Sequence, residues 1–199
     1  MAGYVSLNCG GEGNHTARSN VTWVSDANYI DVGRAVDIHL GDNSEHTYGS
    51  YVHSLRYFAK PLVPNVPYLL RTWFAIGNYT GFKQQPGFGL SYETLGMLAY
   101  RNKPPRYDSP WYHERVIVSL GTVLYHCFIR TSENDDPFVS AIEFRPLKEG
   151  MYRKARLGQS LKKDERVDFA AKALVRYTFQ TFSSSPFSDV DVAVLMLCS

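Results

Sequence analysis

Short runs of alternating apolar and polar side chains, separated by turn-forming residues, dominate this chain. Between Phe138 and Phe144, the apolar Phe138, Ile142 and Phe144 share one parity while Glu143 and Arg145 take the other. That is the period-2 signature of a half-buried strand, and Pro137 and Pro146 bracket it. The run Val123 to Arg130 alternates too, grouping Val123, Tyr125, Cys127 and Ile129. Tyr68 to Ile76 is apolar at both parities and predicts a central strand covered on both faces. Arg115 to Leu120 is a further strand candidate. Turn chemistry separates these runs at Gly41-Asp42-Asn43-Ser44, Gly77-Asn78, Gly87-Phe88-Gly89, Lys103-Pro104-Pro105 and Asn134-Asp135-Asp136-Pro137. Many short strands with frequent turns predict an all-β protein, an antiparallel β-sandwich.

The pattern loosens after Pro146. Lys148 to Arg166 is basic and polar, in the manner of a linker. Leu161 to Leu174 combines helix-forming Lys, Glu, Arg and Ala behind a possible Ser160 N-cap, so helix and strand both remain open for residues 161–175.

With 199 residues, 44% of them hydrophobic and 14% aromatic, the chain can bury a sizeable core. A net charge of +2, evenly spread, gives no footprint for nucleic acid or an anionic membrane. No stretch has the roughly 18 to 20 apolar residues needed to span a bilayer; the most apolar tail, Val190 to Cys198, is interrupted by Asp191. Met1-Ala2-Gly3 leads directly into Tyr4-Val5-Ser6-Leu7 without the charged and apolar regions of a signal peptide, which leaves a cytosolic protein or a fragment as one expectation. Three cysteines, Cys9, Cys127 and Cys198, are too few for a disulfide scaffold; free thiols are expected at Cys9 and Cys127. Sequons at Asn14, Asn20 and Asn78 mark candidate N-glycosylation sites.

Catalytic and cofactor chemistry finds little support. Gly10, Gly11 and Gly13 suggest a phosphate loop, but Thr16 stands where its third glycine belongs and no Gly-Lys-Ser/Thr follows. His39, His46 and His53 recur at seven-residue intervals with no helix to gather them, so no metal site is expected. Asp135 and Asp136 are adjacent in a turn and suit turn support better than paired acid–base work. The Gly41 to Glu45 cluster lacks the spaced carboxylates of an EF-hand calcium loop. There is no Gly-x-Ser-x-Gly elbow and no kinase glycine loop or Asp-Phe-Gly site. Neither an enzyme nor a cofactor is predicted.

Five blocks stand in a fixed order: Asn8-Cys9-Gly10-Gly11, Trp23-Val24-Ser25-Asp26, Leu55-Arg56-Tyr57-Phe58, Tyr68-Leu69-Leu70-Arg71-Thr72-Trp73-Phe74 through Phe82, and Asp136-Pro137-Phe138 through Leu147. Together they resemble the malectin-like domain of plant receptor-like kinases, over roughly residues 4 to 177. The resemblance implies a jelly-roll-like sandwich that binds carbohydrate, sited on the extracellular side of the plasma membrane in membrane-anchored relatives. It places a first lobe at 4–152, a linker and the start of an incomplete second lobe at 153–177, and an unmatched tail at 178–199. The chain departs from the family between Phe58 and Tyr68, where only Ala59 to Pro67 intervenes and a family cysteine is missing; three prolines there predict an extended connection.

Sugars present C–H faces that stack on flat rings and hydroxyls that pair with planar polar groups, so a glycan site needs Tyr or Trp beside Asp, Asn, Glu or Arg, usually on loops. Tyr107, Asp108, Trp111, Tyr112 and Glu114 follow Pro104-Pro105 and are the first candidates, expected in a solvent-facing loop. Trp23, Asp26, Asn28 and Tyr29, and Asn78, Tyr79 and Phe82, are second choices because both groups lie in blocks whose rings can pack the fold. The partner expected is a glycan, such as a cell-wall carbohydrate, or a peptide. The alternative is a structural or protein-interaction fragment that binds no sugar.

Overall fold

The computed structural model describes residues 4–17, 20–30, 33–38, 47–51, 56–75, 87–92, 97–100, 111–119, 121–130, 137–148, 150–152, 155, 157, 160–165 and 194–197. The expectations for Asn78, Tyr79, Phe82, Tyr107, Asp108, Asp135, Asp136, Cys198, the three spaced histidines and the 41–45 cluster lie outside them.

Among the described residues, the elements are strands with one short 3-10 turn. In chain order they are β1 (Val5–Asn8), β2 (His15–Thr16), β3 (Thr22–Ser25), the turn Asp26–Asn28, β4 (Arg34–Ile38), β5 (Thr47–Tyr51), β6 (Arg56–Pro61) and β7 (Pro67–Phe74). Then come β8 (Phe88–Tyr92), β9 (Met97–Tyr100), β10 (Trp111–Val118), β11 (Val123–Arg130), β12 (Phe138–Val139), β13 (Ala141–Pro146), β14 (Ser160–Glu165) and β15 (Val194–Leu197). They form an eight-stranded sheet in the order β15-β14-β10-β7-β13-β1-β3-β2, a four-stranded sheet β6-β11-β8-β9 and a three-stranded sheet β12-β5-β4. All pairings are antiparallel except β1 with β3.

The core lies between the large sheet and the four-stranded one. Tyr68, Leu70 and Phe74 of β7, Val5 and Leu7 of β1, Ile142 and Phe144 of β13 and Ile117 of β10 pack with Phe88, Leu90 and Tyr92 of β8 and Leu124 and Phe128 of β11. Phe74 meets Phe88 at 5.6 Å and Phe138 at 5.8 Å, in the tilted and edge-on geometries that ring quadrupoles prefer. β7 is central as expected, flanked by β10 and β13.

Three expectations change. On β11 the core-facing residues are Leu124, His126 and Phe128, whereas Tyr125 is exposed and Cys127 and Ile129 are half-buried; the alternation is real, but the opposite parity faces inward. His126 tolerates burial because its Nδ1 bonds the Ser91 carbonyl at 3.1 Å and its Nε2 meets Thr72 Oγ1 at 3.0 Å. The strand through Phe138 is interrupted at Ser140, whose Oγ accepts the Ala75 amide at 2.9 Å and whose own amide bonds Trp73 O at 2.9 Å. Residues 160–165, open between helix and strand, form β14 and hydrogen-bond along β10, so this segment adds a strand to the large sheet.

To reach β14 from β13, the chain must pass β7 and β10. It does so across the outer face of the large sheet, where Leu147, Tyr152 and Ala155 pack on Leu69, Val116 and Leu161. Tyr152 takes φ 52° in this crossover, an uncommon conformation for a bulky side chain.

Candidate functional site

Because side chains alternate along each strand, residues in register across the large sheet form rows on one face. On the outer face, Glu114 of β10 stands opposite Arg71 of β7, and Arg71 opposite Glu143 of β13. Arg71 Nε donates to Glu114 Oε2 at 2.7 Å, with Nη2 2.6 Å from the same oxygen. Arg71 Nη1 reaches Glu143 Oε1 at 3.4 Å, and Trp73 Nε1 donates to that oxygen at 2.7 Å. Arg145 pairs with Glu143 Oε2 through Nη2 and lies 5.5 Å from the Tyr4 ring. Two arginines and two glutamates thus balance in charge, and each carboxylate sits against a guanidinium as burial requires.

The aromatic part lies one row along. Tyr112 is opposite Trp73, with ring centroids 4.8 Å apart. Arg71 Cζ sits 4.9 Å from the Tyr112 ring and 5.7 Å from the Trp73 ring, within cation–π range. Tyr112 is 39% exposed and Trp73 partly so. The result is an accessible pair of rings held rigidly by an arginine whose remaining donors are fixed by carboxylates.

The first-choice candidates therefore separate. Trp111, Tyr112 and Glu114 belong to strand β10, not to a loop. Tyr112 and Glu114 point to the outer face, while Trp111 turns inward, stacking on Phe74 at 5.4 Å and meeting Phe138 edge-on at 6.0 Å. Trp111 is a core ring and leaves the surface cluster.

The second-choice group also divides. Asp26 Oδ2 accepts the Gly10 amide at 3.0 Å, and its carbonyl accepts from Tyr29 and Ile30 at 2.8 and 2.9 Å. Ser25 caps the Asp26–Asn28 turn. Tyr29 packs against the main core, and Asn28 is exposed. Asp26 and Tyr29 thus hold the structure at the Cys9-Gly10 turn, where Gly10 has φ 74°. A Cβ on Gly11 would lie 2.0 Å from Asn8 Nδ2, so a side chain there must displace the Asn8 carboxamide. Cys9 is wholly buried, and that burial, followed by the nearby Asp26 charge, pushes its thiol pKa well up; it is an inert thiol, and Cys127 is also free and raised by burial. Trp23, by contrast, precedes the inward Val24 and shares the outer face with Tyr112. β3 lies four strand steps from β10, about 19 Å at about 4.8 Å per step.

Arg71, Trp73, Glu143 and Arg145 were not singled out as site residues. The signal was present in the charged positions of Arg71-x-Trp73 and Glu143-x-Arg145, which alternate with buried apolar ones. Among the described residues, no group of three or more His, Cys, Asp or Glu side chains is placed to hold a metal, and no helix is long and apolar enough to cross a membrane.

The fold is thus an all-β domain whose large sheet carries, on its outer face, aromatics among fixed charges. The family profile of the malectin-like domain matches residues 7–183, and the chain belongs to that family. A probable LRR receptor-like serine/threonine-protein kinase of Arabidopsis thaliana is 31% identical over 169 residues, covering 76% of this chain and 18% of that relative. The solved plant receptor-like kinase FER superposes with a TM-score of 0.70 at 20% identity, covering 83% of this chain and 48% of that one. FER in a complex with the plant peptide RALF23 and LLG2 superposes at 0.66 and 18% identity, over 83% and 48% of the respective chains. At these identities the structural likeness establishes the fold. The chain spans about half the length of these solved ectodomains and less of the receptor kinases.

Proposed function

We propose that this chain is a non-catalytic recognition domain of an extracellular, receptor-type protein, and that it binds carbohydrate on the outer face of the large sheet. The observation that carries the reading is the Tyr112–Trp73 pair, with Tyr112 exposed and Trp73 partly so on the outer face, braced by Arg71 between Glu114 and Glu143. A ring held in this way offers a stacking platform with little conformational entropy to lose on binding. The buried Glu114 and Glu143 carboxylates act from beneath, fixing the Arg71 guanidinium that braces the rings. Trp23, on the same face, supplies a second ring for an extended chain of sugars.

A glycan array followed by calorimetry on the positive saccharides tests this. Tyr112→Ala is expected to abolish binding while the protein stays folded. Saccharide binding that survives in Tyr112→Ala, or no saccharide bound by the parent chain, would overturn the carbohydrate reading. Peptide recognition is the second reading, favoured by the complex that FER forms with RALF23 and LLG2; a parent chain that binds a peptide, but no glycan, would select it.

A further inference from the structure

Among the described residues the β2–β3 hairpin ends the large sheet, and it carries two of the three sequons. β2 is the terminal strand of that sheet, two residues long and fully exposed. It pairs with β3 through His15 opposite Trp23 and Thr16 opposite Thr22. The connection is tight: the Ala17 amide bonds the Val21 carbonyl and the Asn20 amide bonds the Ala17 carbonyl, both at 2.9 Å. Asn20 closes the turn at φ 57°, in the left-handed region where asparagine is one of the few side-chain-bearing residues at ease.

Both sequon threonines fall within this hairpin. Thr16 belongs to Asn14-His15-Thr16 and Thr22 to Asn20-Val21-Thr22, and their hydroxyls meet across the strands at 3.2 Å. The two asparagines differ. Asn14 Oδ1 accepts the Ser25 amide at 3.3 Å and so helps to hold the base of the hairpin. Asn20 stands at the tip, exposed, with its main chain satisfied by the turn.

We infer that Asn20 is an N-glycan attachment site and that its glycan shields the free β2 edge of the large sheet from pairing with other chains. The reaction is a transfer with no redox step. The co-substrate is an oligosaccharide carried on a polyprenyl diphosphate in the secretory membrane. Nδ2 of Asn20 forms a bond to C1 of the reducing-end N-acetylglucosamine as the C1–oxygen bond to the diphosphate breaks. The carboxamide loses one proton, and the polyprenyl diphosphate leaves. Edge strands offer unpaired backbone donors and acceptors to neighbouring molecules, and short length or added bulk is the usual protection. Here the strand is short, and a bulky hydrated glycan at the adjoining tip would add the second device.

The chain is to be secreted from mammalian cells behind an added signal sequence, then treated with a peptide amidase in heavy-oxygen water, which converts each glycosylated asparagine to labelled aspartate. Labelled aspartate at position 20 is expected in the parent and in Thr22→Ser, which keeps the sequon, and not in Thr22→Ala. An unlabelled Asn20 in folded, secreted parent protein would overturn the site. Light scattering tests the shielding: Thr22→Ala is expected to self-associate at concentrations where Thr22→Ser stays monomeric. If Thr22→Ala is not secreted, parent protein is compared before and after enzymatic removal of its glycans. Equal monomer content in that comparison, or between the two variants, would overturn the shielding role.

Discussion

His126 should make this domain acid-labile in a way that a single substitution removes. Its ring is fully enclosed between the sheets, stacked on Tyr92 at 4.5 Å, and burial lowers its pKa from 6.5 to about 4 despite the opposing hydrogen bond to the Ser91 carbonyl. That bond needs a proton on Nδ1, so Nε2 is the acceptor facing the Thr72 hydroxyl. A second proton would have to enter at Nε2, in a core that already encloses Arg115 with its Cζ 5.9 Å from the Tyr92 ring. Because the native pKa is depressed, the stabilisation is complete above pH 6.5 and is lost as the pH falls toward 4. In that window the unfolded chain takes up the proton and the folded one does not. The interval, at about 1.4 kcal/mol per pH unit, amounts to about 3 kcal/mol. Urea unfolding of the parent and of His126→Gln, from pH 7.5 to 4.5, measures it. Carboxylates titrate in both proteins, so the difference between the two curves isolates the histidine. Down to pH 4.5, about two units below the unfolded value, the gap in stability should narrow by about 2 to 3 kcal/mol. Parallel curves across the whole range would refute the reasoning.

Other substitutions probe the remaining layers. Phe74→Ala removes a fully buried ring and should cost about 3 to 5 kcal/mol in chemical denaturation. Trp111→Ala should also destabilise, by about 3 kcal/mol because the ring is only partly enclosed; a melting temperature equal to the parent's would return Trp111 to the surface. Glu143→Ala leaves Arg71, Arg145 and the Trp73 N–H without their shared acceptor and should cost about 3 kcal/mol, with Glu143→Gln costing less. Gly11→Ala forces the Asn8 side chain aside and should lower stability by about 1 to 3 kcal/mol, visible as a reduced urea midpoint at unchanged slope.

What the sequence reveals and what it hides divides along physical lines. β7 is legible because both its faces are apolar or partnered, and the turn after β1 because Gly10 meets a backbone requirement at φ 74°. The alternation of β11 is legible but not which parity faces the core, since a histidine counts as polar until Thr72 and Ser91 are seen to satisfy it. β10 was started too late for a similar reason. His113, Glu114 and Arg115 look like exposed loop residues, yet all three are buried, and the salt bridge that makes Glu114 tolerable comes from Arg71, far away in sequence. The aromatic row fails to show in one dimension for the same reason, because Tyr112, Trp73 and Glu143 meet only through strand register.

That register also sets a timetable for synthesis. β7 needs β10 on one side and β13 on the other, and β1 has its antiparallel partner in β13. At about 5 to 20 residues per second, the roughly 70 residues from the end of β7 to the end of β13 take about 4 to 14 s to emerge. For the first part of that interval β7 has neither neighbour, and after β10 has emerged it still lacks β13; β1, made first, waits longest for its β13 partner. Ribosome-bound intermediates stalled before Pro146 are therefore expected to cross-link to a chaperone through β7, and those stalled well beyond it are not.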